Sequence, residues 1–182
     1  MPTVPETKAT WTNGVDPLDS TNLHAYLRDP LRFLMNKPVA ELRASTGQPI
    51  PSGSFTPVLF NLEQVDTDPD GIGGHSTVTN TSRYTARYPG WYRVGGSVTW
   101  PSNATGRRAT QWAVNGSTVD ATQEIRPGSS AGALGSQADD PLIFLAEGDY
   151  LELRVWQDSG ISLTLLSTSA DRPRMTVEWE RL

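Results

Sequence analysis

The chain has 182 residues, a net charge of −5 and no cysteine, so disulfide bonds and thiolate chemistry are excluded. The acidic balance argues against a nucleic-acid partner, and no apolar run reaches the roughly 18 residues that a membrane helix needs. Sixteen glycines and fourteen prolines, with 36% apolar residues, are typical of short strands joined by turns around one core.

The first 18 residues are rich in proline and threonine, and Trp11 is followed there by Asn13-Gly14. This composition predicts an extended arm, with a disordered tail as the alternative. The first residues have neither a basic start nor an apolar stretch, so we expect no secretory signal peptide and synthesis in a cytoplasm.

Residues 19–37 contain the one strong helix pattern of the sequence, and Asp19 or Ser20 can cap its start. Its apolar residues form a stripe at helical spacing: Leu23, Leu27, Leu31 and Leu34. Pro30 interrupts the pattern and predicts either a kink or a second short helix with Asp29 as its cap. A helix this short is marginal alone, so the stripe must pack on the domain body or on another chain.

Residues 44–57 are rich in serine, glycine and proline and predict a linker. From Val58 onward the pattern is all β, with about ten short strands at the spacing of a sandwich or barrel. The predicted strands are 58–65, 76–80, 83–88, 91–100, 108–114, 117–123, 141–146, 150–157, 162–167 and 174–182. Asn115-Gly116 is a strong hairpin signal, and residues 124–140 predict a long loop that carries function or lies at a contact.

Several motifs of residues 58–182 together resemble the trimeric jelly-roll family of complement-type globular heads and tumour-necrosis-factor-like domains. They are NTSRYTARYPGWYRVGGSVTW (80–100), WAVNGS (112–117), PLIFLAEGDYLELRVWQDSG (141–160) and TVEWERL (176–182). The resemblance implies an all-β jelly-roll sandwich that associates as a homotrimer. Aromatic rings that alternate with core positions either cap the sandwich edges or contact other subunits. We expect five of them at the trimer interface: Tyr92, Trp100, Tyr150, Trp156 and Trp179.

Residues 11–42, WTNGVDPLDSTNLHAYLRDPLRFLMNKPVAEL, are similar to the N-terminal segment of minor virion proteins of phages that infect actinobacteria. The shared elements are a Trp-x-x-Gly, an Asn-Leu helix start and an Arg-Asp pair, whereas Pro30 departs from the pattern. The resemblance implies a structural protein of the virion without enzymatic activity. It would attach to other virion proteins through five anchoring residues: Trp11, Leu23, Leu27, Leu31 and Leu34.

The predicted organisation is an attachment segment at 1–43, a linker at 44–57 and a jelly-roll head at 58–182. We expect the protein on the tail tip or fibre, with capsid decoration as the alternative placement. A free carbohydrate-binding module is a further alternative, and a host surface glycan is a candidate ligand. Nothing in the sequence predicts a catalytic group or a cofactor other than Ca²⁺.

The Ca²⁺ signal is DTDPDG, in which Asp66, Asp68 and Asp70 alternate and could converge on one hard cation. The twelfth position of a helix–loop–helix calcium loop is Thr77 rather than glutamate, and the flanking residues predict strands. The sequence therefore fits either a looser Ca²⁺ site or a plain polar turn.

Overall fold

The computed structural model describes residues 3–12 and 15–182, so Asn13 and Gly14 lie outside the described residues. A helical segment begins with α1, Ser20–Leu23, continues through one π-helical turn, His24–Arg28, and ends with α2, Asp29–Met35. The Asp19 side chain accepts a hydrogen bond from the Asn22 amide at 2.8 Å, which confirms it as the N-cap. Within these residues no helix is long and apolar enough to cross a membrane.

Pro30 alters the helical segment without ending it. Proline has no N–H, and its ring crowds the carbonyl four residues earlier, so the turn before it widens to the π-helical form. α2 then starts with Pro30 in its first turn. The predicted cap is wrong, because Asp29 is the first residue of α2 and Arg28 before it already has helical backbone angles, so the helical segment continues through Pro30.

Strands make up the rest of the fold. In the part of the chain that the structure describes they are β1 Val39–Arg43, β2 Pro49–Ile50, β3 Thr56–Pro57, β4 Leu62–Thr67, β5 Arg83–Thr85, β6 Gly90–Trp100, β7 Asn103–Val114, β8 Ser117–Thr118, β9 Glu124–Ser129, β10 Leu134–Ala138, β11 Leu142–Leu145, β12 Tyr150–Gln157, β13 Leu163–Thr164 and β14 Arg174–Arg181.

Two sheets pair these strands antiparallel. The front sheet has the order β10-β6-β14-β1-β4, and β11 also pairs with β6. The back sheet has the order β3-β12-β7-β8, with β5 paired to β12 and β9 paired to β7. β2 and β13 form a separate two-stranded pair.

The core lies between the two sheets because the long strands alternate buried and more exposed residues. Its largest contributions come from β6, β12 and β14: Tyr92, Val94, Val98, Trp100, Leu151, Leu153, Val155, Met175, Val177 and Trp179. α2 adds Phe33, whose ring centroid lies 5.2 Å from that of Tyr88 and 4.7 Å from that of Trp179. The predicted all-β sandwich with one short helical segment is thus confirmed.

The sandwich begins earlier in the chain than predicted. β1 lies inside the front sheet between β14 and β4, and its Ala40 and Leu42 are buried. The predicted linker contains β2 and β3, which pair with β13 and β12. The predicted boundaries at residues 43 and 57 therefore need correction, and the head extends from Val39. The five-residue alternation of β1 is too short to be distinguished from the end of the preceding helix.

Two further segments differ from the prediction. Residues 124–140, predicted as a loop, form β9 and β10, which pair with β7 and β6. The sequence pattern does not predict these strands because they have few apolar residues. Hydrogen bonds between strands join backbone groups and need no apolar side chains. Residues 76–80, predicted as a strand, form bends, in which the Ser76 hydroxyl accepts hydrogen bonds from two backbone amides.

Candidate functional site

Three of the five rings predicted at the trimer interface lie inside the core of one chain. Tyr92 and Trp100 have no exposed surface, and Trp179 is 5% exposed. Their rings fill the space between the sheets and cannot contact a second chain in this conformation. The assignment of these three residues to an interface therefore needs correction, because the strand face that carries them is the core face.

Two of these rings also fix the turn at Pro89-Gly90. The Tyr92 hydroxyl donates to the carbonyl of Tyr88 at 2.6 Å, and Trp179 Nε1 donates to the carbonyl of Pro89 at 3.1 Å. Burial raises the pKa of the Tyr92 hydroxyl, so it stays a donor at neutral pH. Gly90 has φ +152°, and a Cβ there would lie 2.2 Å from Trp179 Nε1. Glycine is thus required where the chain enters β6.

The other two predicted rings, Tyr150 and Trp156, lie on the outer face of the back sheet, the face turned away from the core. The guanidinium of Arg83 stacks 3.9 Å from the Tyr150 ring centroid. The guanidinium of Arg107 lies 5.7 Å from a ring of Trp156, and Phe55 lies 6.3 Å away on a tilted plane. In these cation–π contacts, arginines of the same chain cover one face of each ring. Both rings are therefore half-buried, and only part of each could contact a second chain.

The outer face of the front sheet carries an aromatic patch that sequence reasoning missed. We define the aromatic patch as Trp91, Leu142 and Phe144, whose exposed fractions lie between 38% and 49%. Trp91 and Phe144 are direct cross-strand neighbours on β6 and β11, and their ring centroids lie 5.6 Å apart at 68°. Leu142 lies beside Arg93 in the same register. The patch is a contiguous apolar surface on one end of the sheet.

A signal for this patch exists in the sequence. β11 reads Leu-Ile-Phe-Leu, with apolar residues on both faces, whereas a strand with one solvated face alternates apolar and polar residues. Ile143 and Leu145 face the core and are buried. Leu142 and Phe144 face outward and are exposed. One chain therefore covers only the inner face of β11, although the composition of the strand is that of a strand covered on both faces.

Solved structures of other proteins share this arrangement of strands. The chain is similar to murine APRIL at pH 5.0, with 13% sequence identity, a TM-score of 0.53, and coverage of 78% of this chain and 98% of that one. It is also similar to Eiger TNF from S. frugiperda, with 14% identity, a TM-score of 0.54, and coverage of 80% and 96%. The fold is a tumour-necrosis-factor-like jelly roll. No family model and no curated protein matches the sequence.

The predicted anchoring leucines lie on the outside of the helical segment beside the jelly roll. Leu23, Leu27, Leu31 and Leu34 have exposed fractions between 36% and 64%. Pro30 and Phe33, not the stripe, face the jelly roll and are buried. We call the four exposed leucines the leucine stripe. The helical segment therefore packs on its own head through Pro30 and Phe33 and leaves the leucine stripe exposed.

Trp11, the fifth predicted anchoring residue, contacts the helical segment. Its ring meets that of Tyr26 edge to face at 6.1 Å, and the Lys8 amine lies 5.1 Å from the Trp11 ring and 5.4 Å from the Tyr26 ring. Lys8 also pairs with Asp16, whose pKa is lowered by that hydrogen bond. The arm is thus held against the helix, and Trp11 remains 39% exposed.

The three aspartates of DTDPDG do not converge on one point. Asp66 accepts from the amides of Gly74 and His75 at 2.8–3.0 Å, and burial raises its pKa. Asp68 accepts from the amides of residues 70 and 72 and from Arg87, while Asp70 accepts from Arg87 and Tyr88. Among residues 3–12 and 15–182, no group of three acidic, histidine or cysteine side chains could hold a metal ion. The geometry favours the plain polar turn over the Ca²⁺ site.

Proposed function

We propose that this chain is a non-enzymatic structural protein of a phage virion, in which a trimeric jelly-roll head is attached to the particle through its N-terminal helix. One observation carries the proposal: the core is closed, yet two separate apolar surfaces, the aromatic patch and the leucine stripe, remain uncovered. Exposed apolar surfaces of this kind mark contacts with other chains.

The aromatic patch is the proposed self-association surface. Trp and Phe rings at the centre of an interface carry much of its binding energy, and the outward face of β11 has the composition of a covered strand. The homotrimer is what a tumour-necrosis-factor-like jelly roll implies. This interface replaces Tyr92, Trp100 and Trp179, and it lies on the sheet opposite to Tyr150 and Trp156.

The leucine stripe, together with the exposed Trp11, is the proposed attachment surface for other virion proteins. A short amphipathic helix that turns its leucines outward can place them in a groove of a partner. Trimer formation would present three stripes together, so three weak attachments would add to firm binding.

The placement in a phage particle rests on the resemblance of residues 11–42 to minor virion proteins. We propose the tail tip or fibre as the location, where the head would meet a host surface glycan. Capsid decoration is the competing placement, and in it the head would stabilise the shell instead.

Immunogold electron microscopy of particles of the presumed source phage, with antibody against residues 55–182, tests the location. We expect gold at the tail end, whereas gold over the whole head would indicate capsid decoration. Particles without gold would contradict the virion assignment and favour a free binding module.

The leucine stripe is tested by a triple variant, Leu27→Gln, Leu31→Gln and Leu34→Gln. Glutamine keeps the helix propensity close to that of leucine, so we expect a folded protein that no longer joins particles. Val78→Gln is the control, because Val78 is an exposed apolar residue in a loop of the head, away from the helical segment. Normal incorporation of the triple variant would contradict attachment through the stripe.

A further inference from the structure

Three strands of the front sheet bring basic and hydroxyl side chains into one row on the outer face. In the strand register Arg43 of β1 lies opposite Arg174 of β14, and Arg174 lies opposite Ser97 of β6. Two arginines directly opposite each other in an antiparallel pair repel, which disfavours the pairing. Folding alone gives no reason to pair two arginines in a chain with five more acidic than basic residues. The arrangement therefore points to binding of a group that is not part of the chain.

The row forms one wall of a pocket of about 270 Å³. The other wall is the loop before β14, which contributes Ser169, Ala170 and Arg172. A hydrogen-bonded turn holds this loop in place, because Thr168 Oγ1 donates to Asp171 Oδ2 at 2.6 Å and the Asp171 amide donates back to the Thr168 carbonyl. The volume equals roughly nine water molecules at about 30 Å³ each, which is room for a small anion and its nearest waters.

The charges in this pocket are not balanced by the chain. Glu41 pairs with Arg43 at 2.6 Å and is the one acidic partner of the three arginines within the described residues. In residues 3–12 and 15–182 neither Arg172 nor Arg174 forms an ion pair. Arg172 Nε is buried and has no hydrogen-bond partner among the described residues. A buried donor without a partner is costly, and this donor belongs to a residue that lines the pocket.

We propose that this pocket binds an oxyanion, namely a phosphate, sulfate or carboxylate group, between the guanidinium groups of Arg172 and Arg174 and the hydroxyls of Ser97 and Ser169. Arginine is suited to such groups because its planar donors match two oxygens at once. A second pocket of about 390 Å³ shares Ser97 and adds Arg126, so there is room for the sugar ring of an acidic saccharide next to the bound anion. This site does not depend on the proposed function. It lies six residues along β6 from Trp91, roughly 20 Å from the aromatic patch.

Phosphorus NMR of inorganic phosphate with the full chain, at constant ionic strength set by chloride, tests the proposal. We expect the phosphate line to broaden saturably with the wild-type protein, and binding about tenfold weaker or more in Arg174→Gln, because one charged hydrogen-bond donor is lost. Arg181→Gln is the matched control, since Arg181 is an exposed arginine on the same strand outside the pocket, and it should bind phosphate as wild type does. Broadening that is equal in Arg174→Gln and wild type, or absent in both, would overturn the site.

Arg172→Gln should weaken phosphate binding in the same way, and Ser97→Ala provides the second variant if Arg172→Gln does not fold. Competition against bound phosphate by sodium sulfate and by sodium D-glucuronate identifies the source of the oxyanion. Stronger competition by glucuronate would assign the site to an acidic saccharide, and stronger competition by sulfate would assign it to a free inorganic anion. Trp91→Ser should leave phosphate binding unchanged, which separates this inference from the proposed trimer.

Discussion

The two sheets of the jelly roll differ in how their outer faces are covered. On the back sheet, Glu152 is buried under side chains of its own chain: Ser82 donates to Oε1 at 3.0 Å, and Arg154 donates to Oε2 at 2.8 Å. Arg83 completes the cluster at 3.3 Å and stacks on Tyr150. On the front sheet, Trp91, Leu142 and Phe144 have no such cover and stand exposed at one end.

This difference shows that an outward-facing ring is not by itself an interface residue. Tyr150 and Trp156 face outward but are already used by arginines within the chain. The rings of the aromatic patch pack on each other and keep 38–49% of their surface exposed, so the patch gains apolar burial from a second chain. Variants of the covered face and of the open face should therefore differ in what they lose.

The largest effect is expected on the covered face. Glu152→Ala removes the acceptor of three side chains and leaves two guanidinium groups next to each other. Breaking a buried ion pair in this way costs about 3–5 kcal/mol, and since Arg83 and Arg154 are partly exposed we expect about 3 kcal/mol of unfolding free energy to be lost. Urea denaturation followed by tryptophan fluorescence measures the loss.

Glu180→Ala is the control for that measurement on the front sheet. Glu180 pairs with Arg93 at 2.9 Å, but its side chain is 30% exposed, whereas that of Glu152 is 4% exposed. Exposed ion pairs contribute little, so its denaturation midpoint should match that of wild type. If Glu152→Ala were as stable as Glu180→Ala, the outer face of the back sheet would not be held together by Glu152.

The next effect concerns the open face. Trp91→Ser and Phe144→Ser should each raise the dissociation constant of the self-associated form by about 30-fold, because central aromatic residues contribute about 2 kcal/mol or more to an interface. Sedimentation over a dilution series measures the shift. Ile161→Ser is the control, since Ile161 is exposed outside the patch. A wild-type chain that stays monomeric at all concentrations would contradict self-association through the patch.

The sequence predicted elements where a long pattern and a strong local signal agreed. β12 and β14 were found because alternate positions such as Leu151, Leu153 and Val155 are apolar over a full strand. The helical segment was found because Asp19 caps it and the leucines recur. What these leucines face could not be predicted, because Phe33 and Pro30 offer a second apolar side and only the packing against Tyr88 and Trp179 decides between them.

The candidate site was harder to predict, because periodicity gives the two faces of a strand without saying which is the core. In β6, Tyr92 and Trp91 are adjacent rings on opposite faces, and the alternation of residues around them fits either face as the core. Likewise, the sequence does not show which residue of the doublet Arg107-Arg108 is buried. Arg107 pairs with Asp158 at the surface, whereas Arg108 is 1% exposed and donates to the carbonyls of residues 103, 105 and 107.

The smallest expected effect is a change in thermal stability with pH, tested on one carboxyl group from each sheet. Burial raises the pKa of Asp66 on β4, and the nearby Glu63 adds to the shift. A carboxyl group whose pKa is raised by folding stabilises the fold fully when the pH is below its pKa in the unfolded chain, about 3.9. This contribution is lost as the pH rises through its pKa in the folded chain. The backbone amide of Arg107 lowers the pKa of Asp158, which follows β12, so its contribution is present above about 3.9 and is lost as the pH falls. The melting temperature of each variant minus that of wild type is the measured difference. Between pH 3 and pH 6 this difference should increase with pH for Asp66→Asn and decrease with pH for Asp158→Asn. Differences that change with pH in parallel for the two variants would contradict the assignment.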